Sequence, residues 1–241
     1  MKICVLMWYD DTIKFYAQNF YKINKLYCRK NNYDIIKSSQ RVYRGRHYQT
    51  IPERQPHWER FPLIIREIKK YDWVVWIDAD AYFYVDAPPL EDIIEKYDKE
   101  ILLSEDKERV AYPIINTGVM LLKNTKKVID VVNTWAYSEK LKHKYTILDK
   151  QNWIEDQAMV RGCYKDNVDN LKQISVIIPY LELQHFDKRE VDVLRQTTST
   201  FGKIPKSFPY IHHLAGRPDL RYKASMHYLW HLHHQNHLDQ E

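Results

Sequence analysis

The segment Trp73-Val74-Val75-Trp76-Ile77-Asp78-Ala79-Asp80-Ala81 constrains this chain more than any other. Five consecutive apolar residues read as a strand buried on both faces, because a half-exposed strand would alternate. The run then meets two carboxylates spaced i, i+2. Acids at the edge of a core are costly unless something positive meets them. In open α/β sheets, ligands lie beyond the carboxyl ends of the strands. A hard divalent cation that also holds a diphosphate is the natural partner for carboxylates placed there. If the chain turns after Ile77, both acids can grip one cation. The competing reading is a strand-end Asp that closes a turn beside an exposed neighbour.

The flanking sequence has the same α/β character. Ile3–Trp8 reads as a strand, and Asp10-Asp11-Thr12 as the cap of a helix running to about residue 29. Residues 33–36 form the next strand, so the chain opens β-α-β with a right-handed crossover. Residues 37–58 are polar and aromatic and read as a long loop, a kind that in a compact domain is functional or disordered. Further helices are expected over 60–71, from Pro88-Pro89 to 97, over Lys126–Tyr137 and from about Glu155. Short strands are expected at 101–103, 119–122 and 174–178, with Asn116-Thr117-Gly118 as a turn before the second of these. A closing helix is expected from Pro218 to about Gln235. No repeat or Gly/Ser linker divides the chain, so residues 1–241 read as one domain. Its fold class is α/β, a Rossmann-like, mostly parallel central sheet flanked by helices.

Composition narrows the function. A net charge of +5, with basic residues scattered along the chain, lacks the dense footprint of a nucleic-acid binder and suits an anionic small molecule. Neither G-x-G-x-x-G nor G-x-x-x-x-G-K-[ST] occurs, which argues against dinucleotide-binding Rossmann enzymes and P-loop NTPases. Cys4, Cys28 and Cys163 have neither metal-ligand spacing nor the pattern of a disulfide framework. No stretch reaches the length of a membrane span, and the N-terminal apolar run is too short for a signal peptide. The expectation is a protein that is cytoplasmic or otherwise soluble.

Five segments, in order, resemble the GT34 galactosyl/xylosyl/mannosyl-transferases of the GT-A fold. They are Tyr27-Cys28-Arg29-Lys30-Asn31-Asn32-Tyr33, Trp76-Ile77-Asp78-Ala79-Asp80, Asn116 to Asn124, Glu155-Asp156-Gln157-Ala158 and His213-Leu214-Ala215-Gly216. Each is weak alone, but together they span about residues 3–217. The chain departs from the family at Lys123 and at Arg60, where the family usually has Arg and Lys. The expectation is a chain without the family's usual N-terminal anchor and stem, as in some virus-encoded GT-A enzymes.

The resemblance implies a retaining glycosyltransferase that moves a sugar from a nucleotide-sugar donor, UDP-sugar favoured over GDP-sugar, to a glycan or glycoprotein acceptor. It makes Asp78, Asp80 and His213 ligands of Mn²⁺, with Mg²⁺ as the alternative. Imidazole with carboxylates suits Mn²⁺ better than the all-oxygen shell of Mg²⁺. It places Asn116, Asp156 and Gln157 at the reacting sugar. It places Val5, Met7, Trp8, Tyr9, Arg60, Ala79, Thr117, Gly118, Gly216 and Arg217 around the donor. Plainer readings stay open: His213 as a structural histidine, Asn116-Thr117-Gly118 as an ordinary turn, Asp156 as a helix cap and Arg217 as an exposed cation. Residues 1–125 would form the donor and metal half, and 126–241 the acceptor half with the closing helix. Tyr43, Tyr48, His57 and Trp58 are candidates for an acceptor platform. The histidines between His227 and His237 read as part of an amphipathic helix. The rivals are a nucleotidyltransferase, which would need a Gly-rich basic loop after the first strand, and a non-catalytic nucleotide-sugar-binding module.

Overall fold

The computed structural model describes residues 1–42, 56–106, 115–146, 155–185 and 210–214, together with Arg221 and Met226. Among them, β1 (Ile3–Trp8), β2 (Asp34–Ser38), β3 (Trp73–Ile77), β5 (Ile101–Glu105), β6 (Ile115–Lys123) and β7 (Ser175–Ile178) form one sheet in the order β2-β1-β3-β6-β5-β7. The pairs β1–β2, β1–β3 and β5–β7 are parallel, and β6 runs antiparallel to both of its neighbours. The sheet is therefore mostly parallel, as expected.

The continuous apolar runs have their physical reason in two cores, one on each face. Alternate residues of β3 divide between them: Trp73, Val75 and Ile77 pack on one side, Val74 and Trp76 on the other. The first core is covered by α1 (Lys14–Lys30) and α3 (Leu90–Tyr97). The second is covered by α2 (Arg60–Glu67), α4 (Lys126–Tyr137) and α6 (Glu155–Lys165). All five β3 residues are buried. Each such side chain contributes about 1.5–3 kcal/mol on burial, so this strand tolerates neither a register slip nor a charge.

A second sheet is absent from the sequence reading. β4 (Ala81–Phe83) pairs antiparallel with β9 (Ile211–His213), which pairs parallel with β8 (Gln184–His185). The buried Asn24 of α1 holds β4: its Nδ2 donates to the Ala81 carbonyl at 3.1 Å and its Oδ1 accepts from Phe83 N–H at 2.8 Å. This small sheet carries a late segment back to the end of β3.

Other departures are local. Residues 10–12 do not cap α1, whose N-cap is Ile13 with no side-chain cap bond. Instead Asp10 accepts from Thr12 N–H at 3.1 Å and pairs with Arg41 at 2.6 Å. The helix α5 (Glu139–Thr146) is additional, and α7 (Leu171–Ile174) precedes β7. Cys4, Cys28 and Cys163 are free and buried, and burial pushes the Cys4 and Cys163 thiols up to about 12. No helix among the described residues is long and apolar enough to cross a membrane.

Candidate metal centre and active site

The end of β3 builds the site through its backbone. Asp78 N–H donates to the Gly118 carbonyl of β6 at 2.8 Å, and the chain then turns, with Ala81 N–H donating to the Asp78 carbonyl at 3.1 Å. On the far side of the turn Ala81 pairs in register with His213 of β9, and Leu214 N–H donates to the Asp80 carbonyl at 2.9 Å. Asp78, Asp80 and His213 therefore converge, their ligand atoms all within 4.8 Å of one another. His213 Nε2 lies 3.3 Å from Asp80 Oδ1 and 3.8 Å from Asp78 Oδ2. Metal–ligand bonds of about 2.1 Å put neighbouring ligand atoms roughly 3 to 4 Å apart. The donor set therefore fits one divalent cation.

Each of the three residues is held by its other polar atom. Asp78 Oδ1 accepts from Trp76 Nε1 at 2.8 Å and faces Arg60 Nη2 at 3.2 Å. Asp80 Oδ2 pairs with Arg221 Nη2 at 2.6 Å. His213 Nδ1 lies 3.1 Å from Gln184 Oε1. With the proton on Nδ1 and donated to Gln184, the Nε2 lone pair faces the two carboxylates, which is the tautomer a metal needs. Without a cation the same arrangement attracts a proton. Burial alone would push the His213 pKa down, but Asp80 and then Asp78 outweigh it and the pKa is raised. Burial would raise the Asp80 pKa, yet His213 and Arg221 hold it below the usual carboxylate range.

Residues 116–118 are not a turn. They lie inside β6, at a register shift where Leu103 of β5 pairs with Met120 and Ser104 pairs with Asn116. Such irregularities re-aim backbone groups next to active sites. Here the Gly118 carbonyl takes Asp78 N–H, and the Thr117 carbonyl takes Arg60 Nη1. Asn116 Oδ1 accepts from Gly118 N–H at 2.8 Å. Position 118 requires glycine because of close approach: a Cβ there would sit 2.1 Å from His213 Cε1.

A second set of buried groups adjoins the first. Asp156 is not a cap. It lies in the first turn of α6, fully buried, with Arg60 Nε 3.0 Å from its Oδ2 and Thr117 Oγ1 3.4 Å from the same oxygen. The other oxygen faces His57 Nε2 at 3.4 Å, and neither of these two atoms makes a hydrogen bond among the described residues. Arg60 is itself buried, stacked 5.3 Å above the Trp76 ring, and bridges Asp78 and Asp156. Gln157 Oε1 accepts from Thr117 N–H at 3.1 Å and its Nε2 reaches Asp106 at 3.4 Å. Gln157 thus ties α6 to β6.

The remaining expected residues fall elsewhere. Val5 and Met7 are fully buried in the core of β1. Trp8 donates through Nε1 to the Gln40 carbonyl at 2.9 Å, and Tyr9 lies under the Lys37 ammonium. Ala79 sits in the turn between the two acids and is half-buried. Trp58 is fully buried against Phe61, so its ring belongs to the core and offers no face to an acceptor. Gly216, Arg217, Tyr43, Tyr48 and the histidines from His227 onward lie outside the described residues. His212, the neighbour that could be confused with His213, is hydrogen-bonded to Tyr82 Oη at 2.8 Å and stacked on His185. The sequence reading missed Trp76, Gln184 and Arg221 as supports of the cluster. Only Trp76, inside the strand motif, carried any signal.

Comparison with known proteins agrees with this architecture. No family model matches the chain. Galactomannan galactosyltransferase 1 of Cyamopsis tetragonoloba is 25% identical over 125 residues, which is 48% of this chain and 26% of that protein. The chain thus spans about a quarter of the length of the curated relatives it matches. Among solved structures, a glycosyltransferase involved in glycosylation of the major capsid of PBCV-1 superposes with a TM-score of 0.62 at 15% identity, covering 94% of this chain and 100% of that one. The galactosyltransferase LgtC, in complex with donor and acceptor sugar analogs, gives 0.55 at 12% identity, with 94% of each chain covered. The fold is that of the GT-A glycosyltransferases.

Proposed function

We propose that this chain is a metal-dependent, retaining glycosyltransferase that uses a nucleotide-sugar donor, UDP-sugar before GDP-sugar, and a glycan or glycoprotein acceptor. The observation that carries the reading is the convergence of Asp78, Asp80 and His213 at the carboxyl end of β3 in a GT-A fold. A bound Mn²⁺ or Mg²⁺ would neutralise the diphosphate as the sugar leaves. The chain supplies the rest. Trp76 and Arg60 hold Asp78, and Gln184 holds His213, as outer partners do in metal sites.

Asn116, Asp156 and Gln157 border the position where the transferred sugar would lie. Asp156 is fully buried, so it acts on the sugar by holding Arg60 and Thr117 in place. Gln157 and Arg60 act on the sugar through the positions they impose on Thr117 and Asp156. In a front-face reaction the bond from the anomeric carbon to the phosphate oxygen breaks and a bond to the acceptor oxygen forms on the same face. The acceptor's proton passes to the departing phosphate oxygen, so no dedicated base is required. Residues 1–125 form the donor and metal half in this reading, and 126–241 the acceptor half, with His213 crossing to complete the metal site.

The test is nucleoside diphosphate release from a panel of UDP- and GDP-sugars with Mn²⁺, with and without simple sugar acceptors. Release and a glycosylated product are expected from the wild type, and neither from Asp78→Ala. Equal product formation by Asp78→Ala in chelator would overturn the metal-dependent mechanism.

A further inference from the structure

We propose that Arg221 is the diphosphate-binding residue of this site, and that in the cation-free protein it stands on Asp80 in place of the metal's charge. The inference rests on the glycosyltransferase reading above and goes beyond it by naming a residue outside the expected set. The family resemblance places Arg217 around the donor, with an exposed cation as the plainer reading.

Arg221 reaches the site from the segment after β9. Its Nη2 lies 2.6 Å from Asp80 Oδ2, the oxygen turned away from His213. Its guanidinium packs 5.5 Å over the ring of Tyr16, and Nη1 donates to the Tyr16 hydroxyl at 3.4 Å. Tyr16 is a buried residue of α1, so this platform is fixed. The Arg221 side chain nonetheless remains 21% exposed, and its Nε has no hydrogen-bond partner among the described residues. The contrast with Arg60 is chemical. Arg60 is only 3% exposed and is held by Asp78, Asp156 and the carbonyls of Thr117 and His57, so it is a structural cation. Among the described residues Arg221 has one strong partner, Asp80, and a side chain that keeps access to solvent.

That partner is the one a metal would claim. A divalent cation between Asp78, Asp80 and His213 draws charge from Asp80 and repels the guanidinium beside it. A diphosphate arriving on the cation offers acceptor oxygens matched to the fork of an arginine. The guanidinium can exchange Asp80 for phosphate with Tyr16 as its base. Without donor it satisfies Asp80, and with donor it neutralises the leaving group.

The exchange distinguishes this role from simple support of Asp80, because the two roles give opposite signs. Mn²⁺ alone, and UDP or GDP in saturating Mn²⁺, are titrated by calorimetry into wild type, Arg221→Ala and Arg221→Lys. Removing a competing cation is expected to leave Mn²⁺ binding unchanged or tighter in Arg221→Ala. The same change is expected to weaken nucleoside diphosphate binding at least about tenfold, with Arg221→Lys recovering part of it. Weakened Mn²⁺ binding in Arg221→Ala, or unchanged nucleotide affinity, would overturn the inference while leaving the function reading intact. Wild type that binds neither nucleotide with Mn²⁺ would overturn the function reading itself, and this inference with it.

Discussion

Gly118→Ala should remove the metal site with one methyl group. The added Cβ would sit 2.1 Å from His213 Cε1, 2.8 Å from its Nδ1 and 2.9 Å from Asn116 Oδ1. Carbon atoms in good contact are about 3.5–4.0 Å apart, so ring or strand must yield by roughly 1.4 Å or more. The strand is pinned at this point, because the Gly118 carbonyl takes Asp78 N–H and its N–H is taken by Asn116. The imidazole therefore gives way, leaving both Gln184 and the two carboxylates. Overpacking of this kind costs about 1–3 kcal/mol. For a chain of this size that is a fall in Tm of roughly 2–12 °C. Displacing a ligand should weaken Mn²⁺ at least as much as losing an outer partner does, about 10- to 100-fold. Thermal melting and Mn²⁺ calorimetry measure the two effects. Gly162→Ala is the control: its Cβ would meet the Tyr145 ring at 2.2 Å, between α6 and α5 and not against His213. It should lose stability and keep Mn²⁺ affinity. A Gly118→Ala protein with wild-type Mn²⁺ affinity would refute the claim that His213 is held against β6 as a ligand.

Three further outcomes are expected. Arg60→Met leaves Asp156 buried without its main cation and should cost about 3–5 kcal/mol in denaturant unfolding, Arg60→Lys recovering only part because it cannot bridge two carboxylates; wild-type stability in Arg60→Met would contradict the bridge. Asp156→Asn should lower turnover by loosening Arg60 and Thr117 beside the sugar, and unaltered kcat and KM would remove Asp156 from the site. In chelator, the raised His213 pKa means that its proton stabilises the fold fully below its usual 6.5, a contribution lost as pH rises through the raised value. Tm should therefore decline as pH rises from 6.5 to the raised value in the wild type, levelling off above it, and not in His213→Gln, and coincident curves would refute the pairing with Asp80 and Asp78.

Much of this architecture was legible because burial on both faces leaves a continuous apolar run. Ile3–Trp8, Trp73–Ile77 and Lys126–Tyr137 declare themselves in that way or by helical spacing. What escaped was set by distant partners. β8 and β9 are two and three residues long, and each exists only through its pairing, which no local pattern encodes. Asn116-Thr117-Gly118 has turn composition, yet Asp78 and Arg60 hold its backbone within β6. α5 is too polar to show a marked apolar face. At the site the motif residues could be proposed from spacing and resemblance. Gln184 and Arg221 could not, because a lone Gln or Arg carries no spacing signal and gains meaning only when the small sheet closes on β3.

The central claim is that Asp78, Asp80 and His213 hold a cation that in turn holds a nucleotide-sugar. Thermal melting with nucleotide-sugars, in Mn²⁺ or in chelator, tests it most directly. At one hundred times its dissociation constant the right donor stabilises by about 2.7 kcal/mol, a rise of roughly 5–11 °C. That rise should appear only with donor and Mn²⁺ together, and should vanish in Asp78→Ala. A wild type that responds to no nucleotide-sugar with Mn²⁺, or that shows the same rise in chelator, would contradict the account.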